Sequence, residues 1–176
     1  LHYRTDYDLG KHQEASKENL EVNINNKKFI PHILELSFGI DRNIWTLMDI
    51  FYHEEKERSL FKFPSSISPY QAAVFPLLTN NEALVMLSLQ VYEQLSKEFK
   101  TLYDSSGSIG RMYRRVDEIG CPAMITIDHD SLKKKDVTLR DRDSMKQIRV
   151  KLKDLNKTLR EYLSGKPINK LGKIIR

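Results

Sequence analysis

Glu35-Leu36-Ser37-Phe38-Gly39-Ile40-Asp41-Arg42 is the stretch on which the reading of this chain turns. A mostly apolar segment, Phe29-Ile30-Pro31-His32-Ile33-Leu34, leads into it. After it come Ile44, Trp45, Leu47, Met48, Ile50 and Phe51, apolar at mixed three- and four-residue spacing. That order spells a strand, a break at Gly39, and a helix over about residues 41–53 with an arginine in its first turn. Glu35 and Ser37 stand two positions apart, so on a strand they face the same side. A carboxylate beside a hydroxyl suits a small ammonium group, and the Arg42 fork suits phosphate oxygens. The plain alternative is an ordinary strand-to-helix turn with an exposed arginine and a solvated glutamate.

Outward toward the N-terminus, Leu20, Val22 and Ile24 alternate with Glu21 and Asn23, which predicts a half-buried strand. Asn25-Asn26 is a tight turn, because asparagine tolerates left-handed backbone. Residues 27–37 then return as the second strand of a hairpin, with Pro31 near its start or on an edge. Residues 1–19 are polar and read as loop leading into a short helix. Outward toward the C-terminus, Asp41 favours the helix macrodipole, whereas Arg42 opposes it and points to a negatively charged partner. Glu54-Glu55-Lys56-Glu57-Arg58 reads as a solvated charge run ending the helix. Pro64, Ser65, Ser66, Ser68 and Pro69 mark residues 61–70 as a linker and a domain boundary.

Past the linker the elements alternate. Residues 71–76 form a short apolar strand, and Asn80 or Asn81 caps a helix carrying Leu84, Leu87, Leu89, Val91, Leu95 and Phe99. Residues 101–103 are a strand, Ser108 caps a helix that Gly120 stops, and residues 123–127 are a strand. Asp128-His129-Asp130 turns, and Lys133-Lys134-Lys135 is an exposed hairpin tip. Strands follow at 137–140 and at Ile148, Val150 and Leu152, and Leu155, Leu159, Tyr162 and Leu163 share one face of a closing helix. The fold class predicted is α/β: a mixed five-stranded sheet with flanking helices, preceded by a β-hairpin plus helix. Residues 1–60 and 71–165 are the expected domains and 166–176 a basic tail.

The chain has 176 residues, of which 40% are apolar, enough for a packed core and against wholesale disorder. A single cysteine, Cys121, excludes an internal disulfide and a multi-cysteine zinc site, and an intracellular location fits. Cys121-Pro122 entering a strand reads as core. His2, His12, His32, His53 and His129 show no metal-ligand spacing, so no metal site is expected. No apolar run reaches the ~20 residues that a membrane-spanning helix needs. The net charge is +5, and residues 151–176 hold eight Lys/Arg against Asp154 and Glu161. That tail suits a polyanion, or else is a solvated helix face and a frayed end. The chain starts at Leu1 without a methionine, as a fragment does.

Ser106-Gly107-Ser108-Ile109-Gly110-Arg111 has the Gly-x-x-Gly form that cradles phosphate ahead of a helix or clamps nucleic acid in KH domains. A structural turn accounts for it as well, and the missing Walker lysine excludes a P-loop. Arg111, Arg114 and Arg115 follow at helical spacing on one face.

Ser37-Phe38-Gly39-x-x-Arg42, preceded by Glu35, resembles motif 3 of the class II aminoacyl-tRNA synthetases in its glycyl form, of the archaeal and eukaryotic type. Three further blocks are similar to that family and stand in its order: Asp104-Ser105-Ser106-Gly107-Ser108-Ile109-Gly110-Arg111, Asp117-Glu118-Ile119-Gly120, and Leu139-Arg140-Asp141-Arg142-Asp143-Ser144-Met145. The resemblance covers roughly residues 3–163. It implies the last strand–helix unit of a class II catalytic domain followed by a whole anticodon-binding domain. It also implies a glycine–tRNA ligase using ATP and Mg2+, with glycine and its tRNA as partners, homodimeric when complete, and cytoplasmic. By the same resemblance Arg42 is catalytic and holds ATP phosphates together with Gly39, and Glu35 and Ser37 line a glycine pocket. Arg111, Arg114, Arg115, Asp117, Glu118, Asp128, Arg140 and Arg142 are the expected anticodon contacts. The alternative for the acidic and basic residues among them is an ion-pair network, with Arg140-Asp141-Arg142-Asp143 self-neutralising. Motifs 1 and 2 are not found, so the 176 residues alone are not expected to aminoacylate. A non-catalytic synthetase-like RNA-binding or accessory subunit is the rival reading.

Overall fold

In the computed structural model, which describes residues 1–175, the chain divides into two compact units, Leu1–Leu47 and Met48–Arg176. The first begins with β1 (His2–Arg4) and α1 (Asp6–Ser16), and the Thr5 N–H donates to Asp8 Oδ2 at 3.3 Å at the helix start. β2 (Val22–Ile24) and β3 (Lys27–Phe29) form the predicted hairpin. Asn25 and Asn26 lie at φ 51° and 63°, the left-handed pair that a two-residue type I′ turn needs.

The returning strand is shorter than its sequence suggested. It stops at Phe29 and resumes after Pro31 as β4 (Ile33–Glu35), which pairs antiparallel with β1 and not with β2. Proline has no N–H to give a ladder, so the break falls there. Residues 2–4, expected as loop, are a strand because β4 gives them an edge. α2 (Ile40–Phe51) follows Gly39, whose carbonyl accepts the Asn43 N–H at 3.1 Å. The division between units falls inside this helix. Its apolar residues lie open, with Ile40 75% and Trp45 74% exposed.

In the second unit, β5 (Tyr52–Glu54) and β6 (Ser59–Phe61) pair as a hairpin around the charged run. This corrects the reading of residues 54–58 as a solvated helix end: the Arg58 side chain is only 7% exposed. There follow β7 (Ala72–Pro76), α3 (Glu82–Ser96), β8 (Thr101–Tyr103), α4 (Ile109–Ile119), β9 (Ala123–Ile127), α5 (His129–Lys134), β10 (Asp136–Asp141), β11 (Gln147–Lys151) and α6 (Leu155–Leu163). The predicted five-stranded mixed sheet is present in the order β11-β10-β9-β7-β8. β7 runs parallel to both its neighbours, and β10 runs antiparallel to both β9 and β11.

Alternation along the strands sorts the core into two layers. Ala72, Val74, Ile125, Ile127, Val137 and Leu139 face one side, where Leu84, Val91 and Leu95 of α3 and Leu155 and Leu159 of α6 cover them. Ala73, Phe75 and Met124 face the other, against Met112 and Val116 of α4. Asn81 caps α3 as expected, its side chain accepting the Leu84 N–H at 3.2 Å. Asp128, expected as a turn residue, caps α5, and Lys133 and Lys134 close that helix instead of forming a hairpin tip. Lysines in a last turn complement the dipole. The tail is not frayed over its described residues: Ile168 is buried and Ile174 bridges Ile148 on the edge strand β11.

Gly120 ends α4 at φ 83°. A Cβ there would stand 2.5 Å from Phe63 Cδ2 and 2.9 Å from the Phe61 carbonyl oxygen. Gly120→Ala is therefore expected to destabilise the chain by about 2–3 kcal/mol, the sum of left-handed strain and overpacking. Denaturant unfolding checks this. An unchanged midpoint would show that the phenylalanines move aside freely.

Candidate functional site

The second unit carries an open cleft of about 900 Å³ on the α4 side of its sheet. α4 covers β7 and β9 there, Met112 and Val116 packing on Ala73, Phe75 and Met124. Ile109, Gly110, Tyr113 and Arg114 of α4 line one wall, and Ser144, Met145 and Lys146 of the β10–β11 turn with Gln147 at the start of β11 line another. The loop of the β5–β6 hairpin, Glu55 to Arg58, closes a third side.

The floor is a charge network around Asp117, whose side chain is 2% exposed. Asp117 Oδ1 accepts from Arg140 Nη1 at 3.2 Å, and its Oδ2 accepts from Arg58 Nη1 at 2.9 Å. Arg140 also lies over the Tyr113 ring, 4.7 Å from the centroid. The Tyr113 hydroxyl reaches Thr126 Oγ1 at 2.6 Å, and its ring meets Phe75 edge-on. Both buried guanidiniums are thus paired, as a buried charge requires, Arg140 with Asp117 and Arg58 with Asp117 and Glu55.

The candidate residues separate into two groups. Arg114 and Lys146 are exposed on the cleft, and Met145, 50% exposed, lines it from a backbone with φ 57°. Arg111 and Glu118 are exposed on α4. Arg115 is half-buried and donates to Asp104 Oδ2, with Nε at 3.0 Å. Asp117, Arg140 and Arg142 are buried, and ion pairing, the alternative reading of their sequence, is what their side chains do. The pattern differs from a self-neutralising 140–143 run. Arg140 pairs with Asp117, and only Arg142 with Asp143 pairs inside the run, while Arg142 Nη1 also donates to the carbonyls of Phe63 and Gly120 at 2.9 and 2.8 Å. Asp128 does not line the cleft. It caps α5 and accepts from Arg149 Nη1 at 2.5 Å; burial alone would push its carboxyl up, but Arg149 and Ser131 hold it below the usual range. Sequence reasoning missed Arg58, Tyr113, Met145 and Lys146. Tyr113, three residues before Val116 on α4, was the one with a visible signal.

In the first unit the Ser37 hydroxyl donates to Glu35 Oε1 at 3.1 Å, as their spacing predicted, and Arg4 Nε stands 3.4 Å from Glu35 Oε2. Both contacts, Ser37 first, draw the Glu35 carboxyl below its ordinary value. Gly39 and Arg42 are exposed at the start of α2, and an added Cβ at Gly39 would meet Arg42 Cβ at 3.8 Å, an ordinary contact. Among the described residues no group of three or more His, Cys, Asp or Glu is disposed to hold a metal ion. Burial pushes the Cys121 thiol up to about 12, which makes it inert. No helix among the described residues is long and apolar enough to cross a membrane.

The chain is 43% identical to a glycine–tRNA ligase of Aeropyrum pernix over 155 residues, 87% of this chain and 27% of that protein. It is 44% identical to a glycine–tRNA ligase of Clostridium acetobutylicum over 167 residues, 91% of this chain and 36% of that protein. The chain thus spans about a third of the length of the curated relatives it matches. Among solved structures, the RNA binding domain of threonyl-tRNA synthetase from Cryptosporidium parvum Iowa II superposes with a TM-score of 0.52 at 27% identity, covering 57% of this chain and 25% of that one. A family model described as an anticodon binding domain matches residues 71–162, which hold all five strands of the sheet together with α4 and the β10–β11 turn that line the cleft. Because that match takes in more than half of its residues, the chain belongs to the anticodon binding domain family.

Proposed function

We propose that this chain is the anticodon-reading part of a glycine–tRNA ligase, joined to the arginine-bearing end of its activating site. The supporting observation is that Arg114, Met145 and Lys146, exposed on the cleft, all lie within the segment that matches the anticodon binding domain, in a chain similar to glycine–tRNA ligases. Unpaired bases in an anticodon loop offer flat faces and free edges. The Met145 thioether and the Ile109 side chain give apolar surface for a base, and the Arg114 and Lys146 cations suit phosphate or base acceptors. Arg140, Asp117 and Arg142 then act from beneath, holding the walls in place.

The whole enzyme, a cytoplasmic homodimer in this reading, joins glycine to ATP as glycyl-adenylate with release of pyrophosphate. It then passes the glycyl group to the terminal adenosine of the tRNA. Glu35 attracts the glycine ammonium, Ser37 fixes the carboxylate through its hydroxyl, and Arg42 with Gly39 receives the ATP phosphates. Magnesium arrives with ATP, held largely by phosphate oxygens and water.

The cleft reading is tested with this chain and a fluorescent anticodon stem-loop of a glycine tRNA. Arg114→Glu and Lys146→Glu are each expected to weaken binding roughly tenfold and to reduce the salt slope by about one. Affinity unchanged in both variants would overturn the assignment of this cleft.

A further inference from the structure

The β5–β6 hairpin lies before the segment that matches the anticodon binding domain, yet its loop walls the same cleft. Arg58 makes the connection. Its side chain is 7% exposed and reaches acceptors on three elements. Nε donates to Glu55 Oε2 at 2.8 Å within the hairpin loop. Nη1 donates to Asp117 Oδ2 of α4 at 2.9 Å and to the Arg142 carbonyl at 2.8 Å, and Nη2 to the Asp143 carbonyl at 3.4 Å. Those two carbonyls open the turn that brings Met145 and Lys146 to the cleft.

That turn is held from outside as well as from within. Met145 sits at φ 57°, which costs a side-chain-bearing residue energy. The turn's own ties gather on Asp141 and Ser144: the Ser144 N–H and hydroxyl donate to Asp141 Oδ2 at 2.8 and 2.5 Å, the Lys146 N–H to Ser144 Oγ at 3.3 Å and the Asp141 N–H to the Lys146 carbonyl at 2.9 Å. The Arg142 side chain grips the Asp143 carboxylate, and Arg58 reaches the carbonyls of both residues. A guanidinium presents donors along several in-plane directions at once, and an ammonium cannot reproduce that fork.

We infer that Arg58 is a positioning residue for RNA: it locks the hairpin loop and the β10–β11 turn together as walls of one cleft, so that Lys56 and Lys146 both reach the backbone of a single-stranded RNA segment lying in it. The inference rests on the anticodon reading of the cleft. Arg58 acts through the walls and is not itself a contact to the nucleotide.

The test uses the full chain, the anticodon stem-loop of a glycine tRNA, and amide hydrogen exchange of residues 142–147. Arg58→Lys is expected to bind the stem-loop about tenfold more weakly and to exchange faster in residues 142–147, with β7 and β9 unchanged. Leu159→Ala, a core change on the opposite face of the sheet, serves as the stability control. Below its melting temperature it is expected to bind as the wild type does. Arg58→Lys binding within twofold of wild type, or unaltered exchange at 142–147, would overturn the role. So would an equal loss of binding in Leu159→Ala, which would reduce Arg58 to a stabilising contact. Failure of the wild-type chain to bind the stem-loop would instead overturn the anticodon reading, while the exchange of residues 142–147 would still decide whether Arg58 holds the turn.

Discussion

Replacing Asp117 by alanine is expected to lower the stability of the chain by about 3–5 kcal/mol, the cost of stranding buried charge. The carboxylate is 2% exposed and receives two guanidinium groups, those of Arg58 and Arg140, which are themselves 7% and 6% exposed. Its removal leaves Arg140 with a methionine sulfur and a tyrosine ring as its remaining partners. Neither offsets a desolvated positive charge as a carboxylate does. Arg58 keeps Glu55, so the loss is concentrated on Arg140. The double change Asp117→Leu with Arg140→Met should recover part of the deficit, since apolar groups of similar volume need no counter-charge. Thermal unfolding of the variants reads the effect as a fall of roughly 10–20 °C for Asp117→Ala. A fall of less than a few degrees would mean that water reaches the site and that the network is only a surface pair.

That network marks the limit of what the sequence discloses. The sheet was legible because its chemistry is local. Ala72 to Pro76 and Ala123 to Ile127 are short apolar runs with turn residues at their ends, and both are buried on two faces. Asn81 and Gly120 announce the ends of α3 and α4, and Asn25-Asn26 announces a hairpin, through backbone preferences that travel with the residue type. Arg58, Arg140 and Arg142 were opaque for the opposite reason. A buried arginine and an exposed one are written alike, and what buries Arg58 is a carboxylate 59 positions away. Glu54 to Arg58 therefore read as solvated, although its last residue reaches under the cleft. The hairpin containing it was missed because its strands are only three residues each. α5 was hidden by polar composition, since a six-residue helix has no room for a periodic stripe. In the candidate site, spacing alone placed Ser37 against Glu35. The cleft wall from Met145 to Gln147 depends on a β-turn geometry that no period encodes.

The largest effect is expected at Arg42, and it is an effect on chemistry. In the complete glycine–tRNA ligase of this proposal, Arg42→Ala should lower glycine-dependent ATP–pyrophosphate exchange by about 10³-fold or more, roughly 4 kcal/mol of transition-state stabilisation. The reasoning begins with a mismatch. Positive charge in the first turn of a helix opposes the macrodipole, and there the Arg42 side chain is exposed. Among the described residues its guanidinium has no hydrogen-bond or ion-pair partner; only its carbonyl is used, by Thr46 Oγ1 at 2.8 Å. A residue that costs its helix something and gains nothing inside the unit is suited to a ligand, and the fork suits phosphate oxygens on which charge grows as pyrophosphate leaves. Because Arg42 supports no packing, its loss should leave the melting temperature nearly unchanged, in contrast with Asp117. Affinity for the anticodon stem-loop should stay within twofold. Arg42→Lys keeps the charge without the bidentate geometry and should recover only part of the exchange rate. Exchange in Arg42→Ala equal to that of the wild type would remove Arg42 from the activating site. A parallel collapse of thermal stability would show instead that the residue holds the fold and not the nucleotide.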